Sequence, residues 1–128
     1  MTQEDKELIF KDLCARLPYH VKCKIWLKDG TTEEGLLDLQ HNYSDVLQDA
    51  FYYNKIKDIK PYLFPLSSMT EEEKEEYCQL QQRVIYNSKG VINEDVTKYI
   101  NWCYKKHLDI NNLIPMELAI DATGLNIY

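Results

Sequence analysis

The hydrophobic pattern changes period once along this chain, at a proline-containing block over residues 60–70 (KPYLFPLSSMT). Before the block, apolar residues alternate with polar ones, as in half-buried strands. After it, they recur every three or four residues, as in amphipathic helices. Pro61, Pro65 and a capping pair, Thr70 with Glu73, mark the change. The sequence therefore predicts an α+β protein in which a sheet is followed by helices.

The sheet region is predicted over residues 21–59, as a small antiparallel four-stranded sheet or a partly open barrel. A first strand alternates from residue 21 to 27, and Asp29-Gly30 supplies a turn. Further strands are expected over 46–53, with an interruption, and over 56–59. Such a sheet needs helices over its apolar face.

The pairing of the first two strands is predicted from burial. A two-residue loop would bring acidic side chains onto the buried face, which is costly. A shift that pairs Cys23 with Leu37 avoids this, and it requires an odd-length loop or a bulge near Gly30 or Gly35.

Three helices are predicted. Thr2 caps the first helix, which ends before Pro18. The capping box at Thr70 begins the second helix, which closes at Lys89-Gly90. Asn93 begins the third. The inward side of the third helix is formed by Val96, Tyr99 or Ile100, and Cys103.

The 128 residues are most naturally one domain. Within it we distinguish a sheet subregion (21–59), a Pro-rich connector (60–69) and a helical subregion (70–128), with a short final strand from Leu118. The connector prediction is based on the two prolines and on the capped helix that follows at once.

Composition argues against several classes of function. The chain is acidic, with 15 Lys and Arg against 21 Asp and Glu and a net charge of −6, which disfavours nucleic acid as the main partner. The N-terminus has no signal-like apolar core, and no apolar run approaches the roughly 18 residues of a membrane helix. We expect a cytoplasmic protein with no membrane partner.

No residue pattern predicts catalysis, a metal site or a cofactor. The four cysteines are scattered, with no C-x-x-C, and their spacing fits reduced thiols in the core. The three histidines show no H-x-x-x-H spacing. Sequence alone does not bring a cysteine and a histidine together, so we expect no enzyme activity.

One strand face carries three cations and an indole: Lys22, Lys24, Trp26 and Lys28. Such a face could bind single-stranded nucleic acid by backbone charge and stacking. The interpretation favoured by the net charge is a solvated outer face of the sheet, where Lys is common and Trp covers a neighbouring element.

Tyrosine is unusually frequent, with ten residues in the chain. Tyrosine provides rigid apolar area with a polar tip and is enriched at interfaces, although it also covers outward sheet surface. We therefore expect a protein partner or self-association. The candidate contact residues, besides the Lys/Trp face, are Tyr43, Tyr52, Tyr53 and Phe64.

The block over residues 59–73 resembles a family of short, uncharacterised proteins carried by gut anaerobes, their phages, prophages and mobile elements. The resemblance extends to a start at 12–19, a Trp/His/Leu-Asp region at 102–109 and a tail at 113–119. It implies a phage or mobile-element accessory protein and carries over no activity and no functional residues. Phe64 departs from the pattern, because we expect a basic residue there.

Together, these observations predict a non-enzymatic protein-interaction module of phage or mobile-element origin. The alternative is a small barrel that binds single-stranded nucleic acid through the Lys/Trp face.

Overall fold

A computed structural model describes residues 2–38, 56–86 and 93–128, and within them the chain forms three α-helices and a four-stranded sheet. The α+β prediction is confirmed. The elements in chain order are α1 (Gln3–Arg16), β1 (Val21–Leu27), β2 (Thr32–Leu37), β3 (Ile56–Leu63), α2 (Glu71–Tyr86), α3 (Asn93–Lys105) and β4 (Ile120–Asp121).

The sheet has the order β2-β1-β3-β4 and is mixed, where an all-antiparallel sheet was predicted. Strand β1 runs antiparallel to β2 and to β3, whereas β4 runs parallel to β3. A parallel neighbour requires a crossover connection, and the segment that contains α2 and α3 supplies it. The sheet does not close into a barrel within the described residues. The strand expected over 46–53 lies outside them.

The predicted pairing of Cys23 with Leu37 is wrong. Leu37 lies opposite Val21, and Gly35 lies opposite Cys23. Five residues separate the last paired residues, Trp26 and Thr32, so the connection has the predicted odd length. Leu37 is buried, so this register also fills the core. Gly35 places no side chain opposite Cys23, and a Cβ there would lie 3.8 Å from the Cδ1 atom of Ile25, an ordinary van der Waals contact, so the register does not require glycine at this position.

The proline-containing block is partly strand, so the predicted connector over 60–69 begins too early. Strand β3 continues to Leu63, and Pro61 is buried opposite Cys23. The described pairing of β3 with β1 ends at Pro61, and its pairing with β4 begins at the next residue. A proline, which has no N–H to donate, is best tolerated at such a break between ladders.

The predicted N-cap at Thr2 and the predicted capping box at Thr70 are confirmed, and Thr2 also forms a capping box with Asp5. The Oγ1 atom of Thr2 accepts a hydrogen bond from the Asp5 N–H at 3.1 Å, and Thr70 receives the same contact from Glu73. Helix α1 ends at Arg16, before Pro18, and α3 begins at Asn93, as expected. The C-cap predicted at Lys89-Gly90 lies outside the described residues. On α3, Cys103 is buried, whereas Val96, Tyr99 and Ile100 are half-buried.

The hydrophobic core lies between the inner face of the sheet, α1 and the C-terminal segment. Its members are Ile9, Leu13, Leu17, Val21, Cys23, Ile25, Leu37, Ile56, Ile59, Leu63, Leu113, Leu118 and Ala119. No residue of α2 with a described side chain is fully buried. The sheet, α1 and the C-terminal segment therefore form the stable body that positions any site.

A buried ion pair within α1 links this helix to the segment that follows α3. Arg16 and Asp12 are both almost completely buried, and the Arg16 Nε atom donates to the Asp12 Oδ2 atom at 2.7 Å. The Nη2 atom of Arg16 donates to Asp12 and also to the carbonyl oxygen of Leu108 at 2.8 Å. The guanidinium lies 4.8 Å from the centre of the Tyr104 ring.

Two carboxylates, that of Asp12 in this pair and that of Asp109, order the C-terminal segment. Asp12 also accepts a hydrogen bond from the Asn111 side-chain amide at 2.8 Å. Asp109, itself buried, accepts the backbone N–H groups of Leu113 and Ile114 at 2.7 and 2.9 Å. Each contact satisfies a polar group where water is excluded. The segment after α3 is thus fixed by polar contacts as well as by Leu113 and Leu118.

Replacement of Asp12 by Ala should destabilise the fold strongly, because it leaves the Arg16 guanidinium buried without its counter-charge. We expect a loss of about 3–5 kcal/mol in the free energy of unfolding, measured by urea denaturation. The control is Lys98→Ala, which breaks the exposed pair with Glu94 and should cost less than about 1 kcal/mol. A loss at Asp12 no larger than the control would contradict the account.

Candidate binding surface

The outward face of the sheet carries the candidate site. On β1, Lys24 and Trp26 lie on the outward face, and on β3, Lys60 and Tyr62 lie on the same face. In the antiparallel register, Lys24 lies directly opposite Lys60. These four side chains form the floor of an open groove of about 620 Å³. We call it the Trp26 groove.

The wall of the Trp26 groove is the C-terminal segment, which the Arg16–Asp12 contacts hold in place. The wall residues are Ile114, Glu117, Ala119, Ile120 and Leu125. Leu125 is 49% exposed, although it is a large apolar residue. The groove therefore combines an aromatic and cationic floor with a mainly apolar wall.

The two lysines lie close to the indole and have no described counter-charge. Their Nζ atoms are 5.3 Å (Lys24) and 5.6 Å (Lys60) from the centre of the Trp26 ring, within cation–π range. Within the described ranges, neither ammonium has a carboxylate oxygen within 4.0 Å. Like charges directly opposite each other on one sheet face are destabilising. Among the described residues, the centre of the groove is thus a pair of cations with no carboxylate oxygen within 4.0 Å of either ammonium.

The acidic side chain directly opposite Lys24 on β2 is already engaged. Glu34 lies opposite Lys24 on β2, but its Oε1 atom accepts a hydrogen bond from the Tyr62 hydroxyl at 2.8 Å. Burial of the phenol, followed by this hydrogen bond, raises the pKa of Tyr62 to about 12. The hydroxyl therefore remains a donor at neutral pH.

The structure gathers only some of the predicted contact residues. Trp26 and Lys24 line the groove, Lys22 shares their face without lining it, and Lys28 lies beyond the end of β1 and is exposed. Phe64 lies elsewhere, in a smaller cavity. The predicted contacts at Tyr43, Tyr52 and Tyr53 fall outside the described residues.

Two groove residues, Lys60 and Tyr62, were not predicted because they were assigned to a connector. A signal for them exists in the sequence. Ile59, Pro61 and Leu63 continue the alternation of β3 through the block, which places Lys60 and Tyr62 on the opposite face. Pro61 and Pro65 were interpreted as part of a connector instead.

The smaller cavity has a volume of about 200 Å³ and lies beside the start of α2. Phe64 and Leu108 supply apolar lining, and the Lys106 Nζ atom is 4.0 Å from the Glu73 Oε2 atom. The backbone of Phe64 bonds to His107 and Asp109. These backbone contacts join Phe64 to the segment after α3, and a partner contact by its side chain stays a prediction.

A histidine–tyrosine cluster lies at the other end of β1. The His107 and Tyr128 rings stack with centroids 3.7 Å apart, and the His20 ring is 5.0 Å from that of His107. The Tyr128 hydroxyl accepts the Lys22 N–H and donates to the Tyr62 carbonyl oxygen, both at 2.8 Å. It bridges β1 and β3 just past the end of their ladder.

Burial within this cluster favours the neutral forms of His107 and Tyr128, because it lowers the pKa of the imidazole and raises the pKa of the phenol. Burial, then the charges of His20 and Arg16, lowers the pKa of His107 to about 4. The Nδ1 atom of His107 is buried with no hydrogen-bond partner in the described structure. Burial also raises the pKa of the Cys103 thiol to about 11 and that of Cys23 further still.

The described residues contain no group of three or more His, Cys, Asp or Glu side chains placed to hold a metal ion. None of their helices combines the length and the apolar character that crossing a bilayer requires.

Comparison with known proteins gives no assignment: no family model, curated protein or solved structure matches this chain at a significant level. Function is therefore argued from the geometry of the Trp26 groove.

The stability of the fold should fall as the pH drops from about 6.5 towards about 4. The unfolded chain takes up a proton at His107 in this window and the folded chain does not, so protonation favours unfolding. The pKa shift of His107 corresponds to a loss of roughly 3 kcal/mol in the free energy of unfolding. This loss is complete once the pH is below the folded-state pKa of His107. Urea denaturation across the window measures it.

Replacement of His107 by Asn should remove this part of the pH dependence, because the Asn amide does not titrate in this window. Asn is chosen because it tolerates the backbone φ of 58° at this position. The matched control is His20→Asn, at an exposed residue with φ of 60°. It should retain most of the dependence, since burial is the main cause of the His107 shift. Equal slopes for His107→Asn and the wild type would contradict this assignment.

Proposed function

We propose that this protein is a cytoplasmic, non-enzymatic protein-interaction module of phage or mobile-element origin, and that it contacts its partner through the Trp26 groove. The origin is suggested by the resemblance of residues 59–73. The contact surface is suggested by the groove itself, which joins an aromatic floor to an apolar wall.

The observation that carries the proposal is the half-buried indole between two lysines without described counter-charges. Tryptophan is among the residues that dominate binding energy at protein interfaces. Leu125 and Trp26 together offer apolar area that an incoming side chain would remove from water, which stabilises a complex. The lysine stems add further apolar surface beside the indole.

Single-stranded nucleic acid is the alternative, and the Lys24–Trp26–Lys60 arrangement favours it. Cations near an aromatic ring form the basic unit of such sites. Acidic side chains surround the unit, however. Asp58 lies opposite Trp26, Glu117 lies in the wall, and the chain as a whole carries a net charge of −6. A continuous phosphate backbone would meet repulsion on both sides of the lysine pair.

Replacement of Trp26 by Ala should abolish partner capture while the protein stays folded. In affinity capture from a lysate of the organism that carries the gene, quantified by mass spectrometry, the wild type should enrich a specific protein. The variant should lose at least about tenfold of that enrichment, as for an interface hot spot. Trp102→Phe is the control, because Trp102 bonds to Glu76 on α2 and lies outside the groove.

A parallel measurement separates the two functions. The binding of labelled oligo(dT) is measured between about 50 and about 200 mM salt, where phosphate contacts weaken steeply. We expect no binding. Tight, salt-sensitive binding that is lost in the Lys24→Gln, Lys60→Gln double variant would overturn the protein-interaction proposal in favour of nucleic acid. Enrichment that Trp26→Ala leaves unchanged would exclude the groove as the contact surface.

A further inference from the structure

We infer that the partner presents an extended segment in which a single carboxylate side chain, flanked by uncharged apolar residues, binds between Lys24 and Lys60. The inference rests on the proposed function and specifies its partner. The recognition element is the lysine pair, and the apolar wall of the groove provides the rest of the contact.

The charge of the partner follows from the lysine pair. The two ammonium groups come from directly opposite residues on one face, and both approach the same indole. No carboxylate oxygen of the described residues lies within 4.0 Å of either ammonium. A carboxylate that accepts hydrogen bonds from both would relieve their repulsion. Such charge-assisted bonds are about twice as strong as neutral ones.

The number of charges follows from the surrounding acids. Asp58 precedes Lys60 by two residues on the same face of β3, and Glu117 lies in the wall. Carboxylates next to the central one in the partner would approach these side chains and be repelled. One carboxylate among neutral neighbours therefore fits, whereas a phosphate chain or a run of glutamates does not.

The apolar neighbours follow from the wall. Leu125 is about half exposed, and Ile114 and Ile120 line the same side of the groove. An extended chain directs every second side chain to the same face, with a repeat of about 6.6 Å. A segment with its carboxylate on the lysines can thus place apolar side chains against the wall and the indole.

Among the described residues, the acidic run of a second copy of this chain does not fit the groove by the same reasoning. That run is the first turn of α2, where Glu71, Glu72 and Glu73 are consecutive and helical. Such a run places several charges together, against Asp58 and Glu117. Self-association that depends on Lys24 and Lys60 is therefore a result that would overturn the inference.

The test uses two capped peptides of alternating Val and Thr that differ only in a central Glu or Gln. Each is titrated to millimolar concentration into the whole protein that carries Trp102→Phe, which leaves Trp26 as the single tryptophan of the chain. Trp26 fluorescence reports binding. We expect the Glu peptide to bind about tenfold more tightly than its Gln twin.

Variants of the lysines identify the contact. Lys24→Gln and Lys60→Gln should each reduce the preference for Glu over Gln, and the double variant should abolish it. Lys57→Gln is the matched control, because Lys57 is an exposed lysine of the same strand that does not line the groove. It should leave the preference unchanged.

Three results would overturn the inference: equal binding of the two peptides, no binding of either at millimolar concentration, or a preference that survives the double lysine variant. If partner capture still depends on Trp26 in these cases, the proposed function stands and only the partner chemistry is wrong. If Trp26→Ala also leaves capture unchanged, both proposals fail.

Discussion

The buried contact between Arg16 and Asp12 is the constraint on which the rest of the structure depends. It joins α1 to the Leu108 carbonyl and to Asn111, so it fixes the chain where it leaves α3. Charges removed from water are tolerated only when paired and hydrogen-bonded. These contacts hold the start of the C-terminal segment at Leu108 and Asn111, and that segment forms both strand β4 and the wall of the Trp26 groove.

The local structure of the protein could be predicted from its sequence because local chemistry determines it. Thr2 and Thr70 each cap a helix by accepting the N–H of the residue three positions later, and α1 ends two residues before Pro18. The alternation of Val21, Cys23 and Ile25 assigns the inner face of β1 without reference to any partner strand. The α+β class follows from these elements.

The long-range arrangement could not be predicted, because pairing partners leave little trace in one sequence. Nothing local indicates that Ile120 pairs in parallel with Tyr62, or that Gly35 lies opposite Cys23. Lys60 was placed in a connector, since prolines usually interrupt strands. The groove was therefore half predicted: its β1 side was recognised from the Lys/Trp alternation, and its β3 side and wall depend on tertiary contacts.

Amide hydrogen exchange in the native state tests most directly whether the buried network anchors the groove wall. Within the anchored segment, the Leu113 amide donates to Asp109, and the Leu118 amide donates to the Leu113 carbonyl oxygen. The account predicts that both exchange only with a free energy close to that of global unfolding, well above the amides of α2. Exchange of Leu113 and Leu118 by local opening, at a free energy equal to or below that of α2, would contradict it.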